Sequence, residues 1–105
     1  MYIDVRATNI DLDDDFFMEH ERRTFFALGP FADAIQTVSV VLTDTNGPRG
    51  GDDIACRVII QAVDGWTITV AGLEQTPARA LGQTVRRIRH ALTREITRRR
   101  QRTAY

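Results

Sequence analysis

One stretch near the end of the chain, Thr76 to Arg102, constrains the fold more than any other. Thr76-Pro77 is a helix start: a hydroxyl able to cap, then a proline at the first helical position, where its missing N–H costs nothing. Ala78, Leu81, Val85, Ile88, Leu92 and Ile96 then recur at steps of three and four. At about 100° per residue this stacks them in one apolar stripe. Arg79, Arg86, Arg87, His90, Arg94 and Arg98 fall on the other side or its flanks. The stretch holds nine arginines against one acid, Glu95. Such a helix must dock its stripe on something and leave a cationic face outside.

The rest of the chain supplies the surface to dock on. Tyr2 to Thr8 alternates, with Ile3, Val5 and Ala7 on one face, and predicts a half-buried strand. Ile35 to Thr43 alternates with Val38, Val40 and Leu42 inward. Ile54 to Val63 does the same with Cys56, Val58, Ile60 and Ala62. Asp64-Gly65 predicts a tight hairpin turn. Trp66 to Val70 is a fourth strand with Ile68 and Val70 inward, expected to end at Gly72. Between the first two strands, Asp14 to Leu28 predicts a helix that stops at Gly29-Pro30. The acids at Asp11, Asp13, Asp14 and Asp15 suit a cap and the positive end of the helix dipole. Their spacing lacks the turn glycine and closing glutamate of a calcium loop.

The order is therefore β-α-β-β-β-α. Alternating strands want one covered face, and two amphipathic helices supply the cover. The expectation is an α/β (α+β) two-layer sandwich: a four-stranded mixed sheet with both helices on one face and the first two strands parallel through a right-handed crossover. A hydrophobic content of 43% over 105 residues supports one core. We expect a single domain over 1–98 and a frayed basic tail over 99–105.

Chemistry has little to work with. Cys56 is expected inward, as a small hydrophobe, and a single cysteine fits a reducing, cytoplasmic setting. His20, on the apolar side of the first helix, is read as a core residue, and His90 lies on the other helix. No cofactor, no metal site, no catalytic set and no small-molecule substrate is expected. No run has the length of a membrane span. The loop Asn46-Gly47-Pro48-Arg49-Gly50-Gly51 matches neither a dinucleotide fingerprint nor a P-loop. It is either a plain hairpin loop or a partner contact through Arg49 at its tip.

Charge is the stronger lead. Residues 1–55 carry four arginines and eleven acids, and residues 56–105 carry ten arginines and three acids. Arginine's planar fork suits phosphate. Along the last helix Arg87, Arg94 and Arg98 climb about 10 Å and then about 6 Å, a spacing suited to successive phosphates. Such a face binds nucleic acid with strong salt dependence or is simply solvated. Phe25 and Phe26 point partly away from the first helix's apolar side, beside Met18 and Arg22. They either meet a chain neighbour or offer a partner a sticky patch.

Two runs carry a resemblance. His20-Glu21-Arg22-Arg23-Thr24-Phe25-Phe26-Ala27-Leu28-Gly29-Pro30-Phe31-Ala32-Asp33-Ala34-Ile35 resembles the first helix and turn of the short ribosome hibernation promoting factors, the ribosome-associated inhibitor A group. Val41-Leu42-Thr43-Asp44-Thr45-Asn46-Gly47-Pro48-Arg49-Gly50-Gly51-Asp52, followed by Cys56-Arg57-Val58, is similar to a pattern of the short members. The resemblance spans nearly the whole chain and implies the same β-α-β-β-β-α order. It implies a non-enzymatic factor that binds ribosomal RNA of the small subunit, in the channel of messenger and transfer RNA, and inhibits translation under stress. It also implies no pairing of ribosomes through an added C-terminal domain. The candidate RNA contacts are then Arg22, Arg23, Arg79, Arg86, Arg87, His90, Arg94 and Arg98. The departures are local: Thr76-Pro77-Ala78-Arg79-Ala80-Leu81-Gly82 replaces the acidic opening of the family's second helix. Ile54-Ala55 replaces a basic pair, and His20 and Thr24 stand where apolar residues are usual. The rival reading, from a different class, is a protein–protein module that uses Met18, Phe25 and Phe26.

Overall fold

Strand β1 (Tyr2–Thr8), helix α1 (Asp14–Leu28), a 3₁₀ turn (Gly29–Ala34), strands β2 (Ile35–Asp44), β3 (Ile54–Ala62) and β4 (Thr67–Glu74), and helix α2 (Pro77–Thr103) follow one another in that order. The computed structural model describes residues 1–45 and 53–103. The strands lie in the sheet as β1-β2-β3-β4, with β1 parallel to β2 and the other pairs antiparallel. The expected two-layer architecture is therefore present.

Register explains why one face closes into a core. Val5, Val40, Val58 and Val70 stand opposite one another across all four strands, and so do Ile3, Val38, Ile60 and Ile68. These rows meet Leu81, Val85, Ile88 and Leu92 of α2 and Leu28 of α1 in one cluster. Burying each such side chain stabilises by about 1.5–3 kcal/mol before entropy is counted. Asp13 caps α1, its Oδ1 accepting from the Phe16 backbone N–H at 2.8 Å. Thr76 caps α2 through Arg79 N–H at 3.2 Å.

Several local expectations change. Ala78 is exposed, and Ala80 and Thr84 are buried in its stead; the stripe is rotated towards β4, where only small side chains fit. Strand β4 does not stop at Gly72 but runs on to Glu74. Gly72 faces α2 so closely that a Cβ there would lie 2.7 Å from Thr84 Oγ1. Glycine here permits close approach and does not end the strand. The hairpin after β3 has a three-residue loop: Gly65 N–H donates to the Ala62 carbonyl and Ala62 N–H to that of Trp66. Gly65 takes the positive φ of 96° that this turn requires. Finally, α2 continues through the start of the stretch expected to fray, as far as Thr103. The Arg99 guanidinium stands 4.7 Å from the centre of the Trp66 ring, which holds that turn against the sheet. No helix among the described residues is long and apolar enough to cross a membrane.

Candidate nucleic-acid interface

The rotation of α2 decides which arginines meet. With Ala80, Leu81, Thr84, Val85, Ile88 and Leu92 turned to the sheet, Arg87 and Arg94 emerge on the flank beside β4, and Arg86 and His90 stand further out. Together with Ala91 and Val70 these four line an open groove of about 390 Å³ between α2 and the edge strand β4. Arg87 is anchored: its Nη1 donates to the Ala71 carbonyl at 2.8 Å. Among the described residues, no acid lines the groove.

Six other arginines are paired with acids among the described residues. Arg22 and Arg23 both reach Glu19, at 3.4 and 2.9 Å. The Arg23 guanidinium holds the Glu19 carboxyl below its ordinary range, and Arg22 also lies 6.0 Å from the Phe26 ring centre. Arg79 sits 3.7 Å from Glu74. Arg98 and Arg99 share Glu95, at 2.5 and 2.9 Å, and Arg98 above all keeps that carboxyl ionised to lower pH than usual. Arg6 pairs with Asp4 at 2.6 Å on the open sheet face. Exposed pairs of this kind contribute little stability, but each removes a cation from the free surface. The expected set is thus split: Arg86, Arg87, His90 and Arg94 converge, whereas Arg22, Arg23, Arg79 and Arg98 stand apart in ion pairs. Arg49 lies outside the described residues.

Two solved structures share this fold. One is a ribosomal subunit interface protein from Coxiella burnetii, at a TM-score of 0.75 and 11% identity, covering 92% of this chain and 99% of that one. The other is the N-terminal domain of Protein Y from Thermus thermophilus, at 0.72 and 16%, covering 90% and 98%. No protein-family model and no curated protein matches the sequence.

Some of the surface escapes sequence reasoning. Arg89 joins His90, Thr93 and Arg94 around a second shallow hollow on the outer side of α2; the steps of four from Arg89 to Thr93 and from His90 to Arg94 are the available signal. Val70 closes the groove from β4, with the Ala71 carbonyl holding Arg87 beside it, and no local pattern announces a helix flank meeting a strand edge. The remaining reactive groups are withdrawn. Burial pushes the Cys56 thiol up to about 11, offset only in part by the Thr84 hydroxyl. That hydroxyl is itself buried without a geometrically sound hydrogen bond among the described residues. His20 is buried against Phe16, ring centres 4.2 Å apart. Among the described residues no group of three or more His, Cys, Asp or Glu is placed to hold a metal ion.

Proposed function

We propose that this chain is a non-enzymatic, cytoplasmic ribosome-associated factor that lays the α2–β4 groove on ribosomal RNA of the small subunit and so inhibits translation under stress. The observation that carries this reading is the groove: three arginines and a histidine gathered without an acid among the described residues, on a fold shared with a ribosomal subunit interface protein. Guanidinium forks bind phosphate oxygens two at a time. The polar lining is three guanidiniums and one imidazole over Val70 and Ala91, so recognition rests chiefly on the RNA backbone and its shape. The paired arginines on α1 and near the ends of α2 contribute after their acids are displaced, and so weigh less per residue.

The test is co-sedimentation with small ribosomal subunits. Changing Arg86, Arg87 and Arg94 together to glutamine should leave the fold in place, because none belongs to the buried stripe and the single bond lost, from Arg87 to the Ala71 carbonyl, is worth only about 1 kcal/mol. It should weaken binding and lower the salt slope by about 0.7–0.9 for each phosphate no longer neutralised. If the triple variant sediments with subunits as the parent does, the reading fails. A second reading then leads, and it too rests on a specific observation. Met18, Phe25 and Phe26 are 68%, 51% and 66% exposed along the outer side of α1, which fits docking to another protein. Aromatic docking would hardly respond to salt, whereas phosphate binding weakens steeply between low and moderate salt.

A further inference from the structure

The ion pairs described above join arginines to acids close by in the chain, on the same element or just before it. In the groove that pattern stops. Arg86, Arg87 and Arg94 have no carboxylate partner among the described residues, yet they rise only about 12 Å along one helix. One of them is already fixed by its bond to the Ala71 carbonyl, so part of the ordering cost of binding is met before a ligand arrives. The floor is Val70 and Ala91, apolar and small.

We infer that the groove binds a free, compact polyanion: a short chain of linked phosphates. Three guanidiniums held this close call for several negative charges in a short length, and linked phosphates concentrate them more than a single phosphate does. Two sources share that chemistry, an inorganic polyphosphate and the phosphate tail of a nucleotide. Because the ligand and RNA need the same side chains, the phosphate chain competes with RNA. The inference shares its residues with the ribosome-binding reading and deepens it by adding a ligand that regulates the site. Its binding step, however, is measured without RNA.

Calorimetric titration of the full chain with inorganic triphosphate, at fixed ionic strength, tests it. One saturable site is expected, with sulfate at the same ionic strength unable to displace the ligand. The double change Arg86→Gln and Arg94→Gln, which breaks no bond described within the protein, should weaken binding by about tenfold for each arginine. Arg57→Gln, which removes one such charge from the opposite sheet face, should not. Adenosine triphosphate separates the sources: equal affinity assigns recognition to the phosphates alone, and tighter binding assigns a nucleotide lying on Val70 and Ala91. Absence of saturable triphosphate binding, equal displacement by sulfate, or an equal loss in Arg57→Gln overturns the inference. Triphosphate binding with failed subunit binding would instead reject the ribosomal reading and leave this one standing.

Discussion

His20 shows how a single residue can carry a pH signature without touching a ligand. It is 7% exposed, and burial, more than the nearby Arg23, lowers its pKa from the ordinary 6.5. Glu19 opposes this but does not reverse it. The fold therefore holds the neutral imidazole, while the unfolded chain takes up a proton as pH falls through 6.5. The unfolded state then binds more protons than the native one, so stability rises with pH. We expect His20's contribution to be complete above that value. It should be lost progressively from there down to the lowered native pKa. Melting temperature measured in steps from pH 8 to pH 5 should show this decline, and His20→Phe, which keeps a ring against Phe16, should remove that part of it. The ion-paired carboxylates Glu19 and Glu95 act in a separate window. Their native pKa values lie below 4.5, so what they add is present above 4.5 and lost below it.

Between elements, the contact that sets the geometry is α2 on β4, and its tightest point is Gly72 against Thr84. A methyl at Gly72 would sit 2.7 Å from the Thr84 hydroxyl but 3.9 Å from Thr84 Cβ. Gly72→Ala alone should therefore cost about 1–3 kcal/mol by overpacking. In a Thr84→Ala background the same change should cost much less, since the atom it strikes is gone. Urea unfolding of the two single variants and the double variant reads that coupling. Equal costs in both backgrounds would mean that the strand moves freely from the helix. The same packing marks the limit of what local sequence can say. Strand and helix periods are legible in Val38, Val40, Val58, Ile60, Leu81 and Ile88 because each repeat is local. Gly72 is not: a glycine that ends a strand and one that admits a helix look alike until the helix is in place. Ala78 and Ala80 are hard to tell apart for a related reason, since small residues carry a weak pattern. The candidate contacts are legible as residue types but not as a set. Which arginines are paired is readable from spacing, since Glu19 and Glu95 stand three and four residues from their partners. That Arg86, Arg87 and Arg94 line one groove with Val70 of β4 is not, because it depends on how the helix is turned on the sheet.

Across the whole molecule, the zero formal charge conceals a division of labour. Acids cluster at the start of α1, where they cap and complement the helix dipole. Arg86, Arg87 and Arg94 gather instead in the groove along α2. A molecule so arranged has no net charge to draw in a polyanion and concentrates its positive potential where like charges share a cleft, so its selectivity comes from contact at that groove. Cys56 makes contact of that kind open to direct mapping. It is the chain's one cysteine, 1% exposed, with its thiol held at about 11, so at neutral pH it is neither reachable nor ionised. To a maleimide the natural chain is blank. Under conditions in which Arg94→Cys takes up one label, intact mass should show the parent taking up none. Uptake by the folded parent would mean that β3 opens far more readily than its burial implies. A thiol-directed crosslinker moved position by position along α2 would then report only where that position had been, with no background from the protein itself.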